Sequence, residues 1–238
     1  LSPSSAASDV YKRQVKLSNG TYMPLDPTWV PFCRELWSSA EQQQNYLPGV
    51  PEGSDLCITP VSAPENHYVR IKADNRLEAD GTLRGTFTLT AEGQSDSNIR
   101  RIFTTGFQSE WKSTMERQLL AISPKARLLS VDYGKNPKDY QAAPIKITFR
   151  YEIPDYALKG EGEMFFRPMV MNNLYNQVRS YMWIDTSVEN RKYGFKDACS
   201  RLVELDETVQ LPAGYKLVSA VKDETTVSYT HLRAHETS

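Results

Sequence analysis

Histidine and cysteine are both scarce in this 238-residue chain, which has three of each. Three cysteines are too few for a disulfide-stapled scaffold or a cysteine-rich zinc module. An excess of charge of either sign is also lacking, because 28 Lys and Arg stand against 29 Asp and Glu. Electrostatics therefore gives no reason to expect a nucleic acid or an anionic membrane as partner. No run of about 18 apolar residues occurs, which excludes a transmembrane helix. The 13 Tyr, 8 Phe and 4 Trp are enough for a folded core.

Motifs that bind cofactors or metals are missing as well. We find no glycine-rich phosphate loop, no Cys-x-x-Cys or His-x-x-x-His spacing and no calcium loop. The sequence therefore predicts no cofactor and no metal site. Three acids, Asp74, Glu78 and Asp80, surround a predicted turn, and we interpret them as solvated surface charges.

The thiols lack a local catalytic signature. Cys199 is interpreted as a buried strand residue, because a free cysteine packs like a small hydrophobic side chain. Whether Cys33 and Cys57 form a disulfide depends on export and on a separation that sequence does not give. His67 precedes a predicted strand, and we interpret it as structural rather than as the base of a Cys–His enzyme.

Both ends of the chain resemble translated sequencing adapters. Residues 4–14, SSAASDVYKRQ, are similar to the in-frame translation of a transposase adapter. Residues 227–237, VSYTHLRAHET, resemble the reverse complement of the matching second adapter. We therefore expect adapter-derived tails at 1–14 and 226–238, around a natural segment that is an internal piece of a longer protein. The alternatives are that residues 4–14 are a flexible polar leader and that residues 227–238 form a C-terminal strand.

The natural segment opens with a predicted β-hairpin and continues into a linker. The pair Asn19-Gly20 accepts the positive φ angles of a type I′ turn between two short strands. Residues 35–46 could form one amphipathic helix. Residues 47–64 contain five prolines and two glycines, which predict a wrapped loop.

From residue 65 to 225 the pattern is mainly that of strands. Val69, Ile71 and Ala73 alternate with polar residues, and residues 145–153 alternate in the same way. Two helices are predicted near residues 99–106 and 109–122, with Ser109 as the cap of the second. Further strands are predicted at 82–91, 128–133, 163–167, 181–186 and 198–208. We therefore expect a mainly β (α+β) fold, a β-sandwich with a short helical insertion whose helices cover one sheet or close its end.

Residues 20–29, GTYMPLDPTW, resemble the end of the catalytic core of transglutaminase-like, or papain-like, cysteine enzymes. In that family an aromatic-x-x-L/F-D-P-T motif contributes an Asp that orients the catalytic His. Tyr22, Leu25, Asp26, Pro27 and Thr28 match it. The resemblance implies that Asp26 accepts the imidazole N–H, with the Cys and His upstream of residue 15. The alternative is that Asp26 simply initiates a turn before proline.

The longer context supports the same resemblance. The run PFCRELWSSAEQQQNYLPGV and the β-rich region that follows look like exported transglutaminase-like proteins of Gram-negative anaerobic bacteria. The resemblance implies that residues 15–64 end the catalytic core and its linker, and that 65–225 form an accessory β domain. It also implies a periplasmic or extracellular parent that acts on Gln side chains or peptide amides of a protein or peptide substrate. The fragment itself is expected to be inactive.

A non-enzymatic interpretation stays open beside this one. The β domain could be a binding or structural module of an exported bacterial protein. Tyr133, Tyr140 and Tyr156 lie beside predicted turns and, if exposed, could stack on sugars or pack on a neighbouring domain.

Overall fold

The N-terminal part of the chain forms a short antiparallel hairpin. The computed structural model describes residues 13–26, 35, 37–141, 144–170, 192, 199–218, 224–226 and 230–232. Strand β1 (Arg13–Lys16) pairs with β2 (Tyr22–Leu25), as predicted. Within the loop Gly20 has φ +85°, whereas Asn19 is not in the positive-φ region. A loop that ends in a left-handed glycine therefore closes the hairpin, and the predicted type I′ turn is wrong.

The predicted helix over residues 35–46 is also wrong. A single 3₁₀ turn (Ser39–Glu41) is followed by β3 (Asn45–Tyr46), which pairs with β4 (Cys57–Ile58). Gln43 has φ +54°, which interrupts any right-handed helix. The Thr59 hydroxyl donates to the carbonyl of Glu41 and accepts the Gln44 N–H at 2.9 Å. Long-range pairing with Thr59 thus replaces the hydrogen bonds of a helix.

A five-stranded mixed sheet forms the centre of the molecule. Its strands are β5 (Tyr68–Leu77), β6 (Leu83–Ala91), β7 (Arg127–Asp132), β8 (Ile145–Ile153) and β11 (Leu202–Gln210). The strand order is β11-β5-β6-β8-β7, and only the β11–β5 pairing is parallel. Residues on one side of β5, β6 and β8 have odd numbers and are mostly buried, whereas their even-numbered neighbours are polar. We call these two sides the inner face and the outer face.

Two helices cover the inner face. Helix α1 (Gly93–Thr104) and helix α2 (Trp111–Leu120) follow β6 directly in the chain. They bury Ile99, Phe103 and Trp111 against the sheet together with other apolar side chains of one cluster. Beneath them Phe87 and Phe149 stack with ring centroids 4.3 Å apart. This dry layer between helices and sheet is the core of the fold.

The mainly β, α+β class expected from the sequence is confirmed, and so is the expectation that helices cover one sheet. The layer that packs on the five-stranded sheet differs from a sandwich, because in the described ranges it consists of helices. Helix α2 begins after a 3₁₀ turn (Gln108–Glu110), and no side chain caps it. The predicted cap at Ser109 is therefore wrong.

The remaining strands are short and pair locally. They are β9 (Leu158–Lys159) with β10 (Met164–Phe165), and β12 (Glu224–Thr226) with β13 (Thr230–Leu232). The predicted strand at 181–186 lies outside the described residues. The longest described helix has 12 residues, and none of the described helices is long and apolar enough to cross a bilayer.

Candidate functional site

Asp26, the residue that the sequence nominates for catalysis, directly follows strand β2 and is half-buried. The hairpin contacts the linker through Gln14, whose amide donates to the carbonyl of Gly49 at 3.3 Å. Motif residues Pro27 and Thr28 lie outside the described residues. The catalytic role of Asp26 therefore stays a prediction.

His67, which follows the linker, is the centre of a buried polar cluster. Its Nε2 atom lies 2.5 Å from Ser62 Oγ and 3.1 Å from Glu35 Oε2. Its Nδ1 atom accepts the backbone N–H of Gln94, at the start of helix α1, at 3.0 Å. Asn66 completes the group by donating to Glu35 Oε1 at 3.0 Å. We call these five residues the His67 cluster; Asp26 is not among the hydrogen-bond partners of the imidazole.

The directions of these hydrogen bonds fix the tautomer of His67. Because Nδ1 accepts a backbone N–H, that nitrogen has no proton, and the ring hydrogen is on Nε2. Ser62 Oγ also lies 2.5 Å from Glu35 Oε2, and a carboxylate only accepts. Ser62 thus donates to Glu35 and accepts from His67.

A Ser–His–acid set of this kind invites comparison with a hydrolase triad, but the roles are reversed. A nucleophilic serine donates its proton to an unprotonated histidine nitrogen, and the acid holds the other ring nitrogen. Here Ser62 and Glu35 both meet Nε2, which already has a hydrogen, while a backbone amide occupies Nδ1. His67 therefore has no nitrogen with which to take a proton from Ser62.

Burial lowers the pKa of His67 below its ordinary value, and this outweighs the opposite effect of Glu35. The side chain is fully buried, whereas that of Glu35 is 14% exposed. The imidazole is consequently neutral at pH 7. A neutral, enclosed histidine with both nitrogens engaged is a structural tether, as the sequence predicted.

Helix α1 fits against this imidazole without space for a side chain. Gly93 has φ +63°, and a Cβ atom there would overlap His67 Nδ1 and the carbonyl oxygen of Asn66. Ser95 donates to the carbonyl of His67 at 2.9 Å. The cluster thus joins the linker, the entry of β5 and the first turn of helix α1.

The cysteines form no catalytic pair with His67 among the described residues. Cys57 is half-buried and Cys199 is buried. Their sulfur atoms lie near the carbonyl oxygens of Asp55 and Ser200, at 3.8 Å and 3.0 Å. Cys199 is buried, as predicted, but it precedes strand β11, which begins at Leu202, so the predicted placement within a strand is wrong. Cys33 lies outside the described residues.

The acids at the β5–β6 turn behave as surface charges. Asp80 accepts the backbone N–H of Thr82 at 2.8 Å, and this bond lowers the pKa of the Asp80 carboxyl. Glu78 lies 3.4 Å from Arg76 and 3.9 Å from Arg84. Across the described ranges no group of three His, Cys, Asp or Glu side chains could hold a metal ion.

The three tyrosines proposed as exposed aromatics are half-buried instead, and that prediction is wrong. Tyr133 packs edge-on against Phe103 and Trp111 with centroids 5.7 and 5.4 Å away. Tyr140 lies under the guanidinium of Arg100. Tyr156 donates to the carbonyl of Arg167 at 2.7 Å. Each phenol ring packs against a neighbouring segment rather than facing a ligand.

A second buried polar network lies on the inner face of the sheet, and it was not predicted from the sequence. Tyr151 donates to Asn75 Oδ1, and Asn75 Nδ2 donates to Glu207 at 2.8 Å. Glu207 also accepts the backbone N–H groups of Met169 and Val170 at 2.9 and 2.7 Å. Burial raises the pKa of Tyr151 far above its usual range. The strand alternation contains the clue, because Asn75 continues the inward positions Val69, Ile71 and Ala73.

Comparisons of the chain with protein-family models, with curated proteins and with solved structures found no match.

Proposed function

We propose that this chain is a non-catalytic fragment of a transglutaminase-like cysteine enzyme, in which Asp26 is the orienting acid and residues 65–225 are an accessory domain. The observation that supports the inactive state is the His67 cluster. The imidazole has no nitrogen available as a base, and the side chain has no contact with solvent. The catalytic Cys and His would come from upstream sequence of the parent.

The proposed role of Asp26 follows from strand pairing. Facing side chains of adjacent antiparallel strands lie about 5 Å apart, within hydrogen-bond reach for an Asp and a His. Strand β2 pairs with β1 up to Leu25, the residue before Asp26. In the parent, a histidine on the neighbouring strand would donate its ring N–H to Asp26, which would fix the tautomer and stabilise the imidazolium.

The chemistry of the parent would be acyl transfer. A thiolate would attack the carbonyl of a Gln side chain or peptide amide, and the imidazolium would protonate the departing amine. Water or an acceptor amine would then release the acyl group from sulfur. We propose a protein or peptide substrate and, from the resemblance, a periplasmic or extracellular location.

The test is activity of the chain and of the parent gene product. The chain should not turn over a Gln-containing peptide with a fluorescent amine, and Asp26→Ala should change nothing. In the parent, Asp26→Ala should lower kcat by about 10²–10⁴-fold and alter its pH profile. Turnover by the chain that survives Asp26→Ala, or a parent without an upstream Cys and His, would contradict the assignment.

A binding module is the second candidate function, and one observation favours it. The outer face of the sheet is mostly polar, and no described helix packs on it. A solvated antiparallel face is common in such folds, but this one contains a groove with unpaired charges.

A further inference from the structure

The groove lies on the outer face at the end of β5 where the strand approaches its turn. It has a volume of about 340 Å³, at the small end of the range for ligand pockets. Its outer-face lining is mostly polar or charged: Asp74, Arg76, Arg84, Thr86, Arg150 and Gln210. A groove of this volume suits a small ligand of one or two ring-sized units.

One cross-strand row crosses the floor of the groove. Asp74 on β5 pairs with Thr86 on β6, and Thr86 pairs with Arg150 on β8. With neighbouring strands about 4.8 Å apart, the acid and the arginine stand about 10 Å apart at their Cα atoms. The short side chain of Thr86 between them leaves the space open.

Asp74 and Arg150 differ from the other charges that line the groove. Arg84 is paired with Glu152 at 2.7 Å, and Arg76 is paired with Glu78 at 3.4 Å. Within the described part of the chain, no ion pair or hydrogen bond engages the side chain of Asp74 or Arg150. Both are exposed. Among the described residues the groove thus presents one unpaired carboxylate and one unpaired guanidinium, on either side of Thr86.

A β-bulge supplies an apolar wall beside Arg150. The β7–β8 register shifts between Leu128 and Ser130. The extra residue, Leu129, is 50% exposed and lines the groove. Bulges re-aim a side chain in this way next to binding sites.

We propose that this groove binds an acidic sugar unit, one with a single carboxylate and several hydroxyls. The Arg150 guanidinium would hold the carboxylate, as its planar fork is suited to do. Sugar hydroxyls would donate to Asp74 and bond with Thr86 and Gln210, while the C–H face of the ring would contact Leu129. The groove is lined from all five strands and lies across the outer face rather than along one edge, so a peptide could not add to it as a further strand.

This inference goes beyond the proposed function and does not depend on a transglutaminase-like parent. The experiment is calorimetric titration of the intact chain with digalacturonic acid, with the neutral galactose disaccharide and a Glu-containing dipeptide as parallel probes. Arg150→Gln is the test variant. Lys146→Gln is the matched control, because Lys146 is an exposed cation on the same face of β8 outside the groove.

We expect the uronate to bind and the neutral disaccharide to bind at least tenfold more weakly. Arg150→Gln should weaken uronate binding at least tenfold, whereas Lys146→Gln should leave it within about twofold. Asp74→Asn should weaken it less than Arg150→Gln, because an amide oxygen still accepts a hydroxyl. The proposal is overturned if the uronate does not bind, if both arginine and lysine variants lose binding equally, or if the dipeptide binds more tightly than the uronate.

Discussion

The His67 cluster and the outer-face groove contain the same kinds of polar side chain in opposite states. In the cluster both imidazole nitrogens, the Ser62 hydroxyl and both oxygens of Glu35 have partners. In the groove Asp74 and Arg150 are exposed, and within the described residues they have no ion pair with each other or with a neighbour. In the His67 cluster the polar groups bond to one another and hold the fold together, so changes there should alter stability. The groove leaves its polar groups for a ligand, so changes there should alter binding and leave stability nearly untouched.

Gly93→Ala should have the largest effect on stability. The new Cβ would overlap His67 and would also be held at positive φ, so we expect a loss of about 3 kcal/mol in unfolding free energy. Gly53→Ala is the control, because Gly53 has φ +77° but open space around it. The unfolding free energy of Gly53→Ala should fall by only about 1 kcal/mol. Equal losses in urea melts of the two variants would show that the imidazole does not pack against helix α1 as described.

Ser62→Ala should remove the hydroxyl that bridges His67 and Glu35, while the direct contact between His67 Nε2 and Glu35 Oε2 at 3.1 Å remains. The Nε2–H of His67 and the Oε2 atom of Glu35 would each lose one hydrogen-bond partner in a buried site. We expect the unfolding free energy to fall by about 1–3 kcal/mol. Ser113→Ala deletes an exposed hydroxyl that donates to the carbonyl of Glu110. That control should stay within about 0.5 kcal/mol of the parent chain. Matching losses in the two alanine variants would contradict the role given to Ser62.

Acid should destabilise the fold through His67 before it acts on the carboxylates. The folded-state pKa of His67 is lowered, so the unfolded chain binds the proton more readily. Stability is complete above about pH 6.5 and falls as pH decreases towards the lowered pKa, by at most about 1.4 kcal/mol per pH unit. His67→Gln should flatten the change in unfolding free energy between pH 7 and pH 5. If the unfolding free energy of His67→Gln depends on pH as strongly as that of the unchanged chain, the acid sensitivity belongs to other groups.

Outer-face charges should have the smallest effect on stability. Arg70 and Glu204 form an ion pair whose side chains are 47% and 49% exposed. Glu204→Gln should lower the unfolding free energy by about 0.2–1 kcal/mol at low salt and by nothing measurable in 1 M salt. Arg150→Gln should fall within about 0.5 kcal/mol of the parent chain. A loss above about 2 kcal/mol for Arg150→Gln would mean that Arg150 serves the fold instead of a ligand.

The strands with clear alternation could be predicted because local pattern decides them. Residues 145–153 alternate between apolar and polar side chains, and Ile145–Ile153 is one strand of the observed sheet. The turn predicted near Glu78 and Asp80 is the β5–β6 turn, and Gly81 has φ +88° there. The inward position of Asn75 follows from the same alternation, although its pairing with Tyr151 does not.

Long-range pairings could not be predicted from the sequence. Residues 35–46 have a helical pattern, but Thr59 engages the backbone at Glu41 and Gln44 and decides their conformation. The partners of His67 come from positions up to 32 residues away, and no local motif joins them. The parallel pairing of β11 with β5 depends on contacts between segments more than 130 residues apart.

The protonation state of His67 tests the central claim most directly. Nitrogen NMR of the imidazole, assigned by comparison with His67→Gln, reports which ring nitrogen is protonated. We predict a neutral ring at pH 7 with the hydrogen on Nε2, a hydrogen-bonded Nδ1 acceptor and a pKa below the ordinary 6.5. A cationic ring at pH 7, or a hydrogen on Nδ1, would contradict the account. A neutral ring with its hydrogen on Nδ1 would leave Nε2 available as a base.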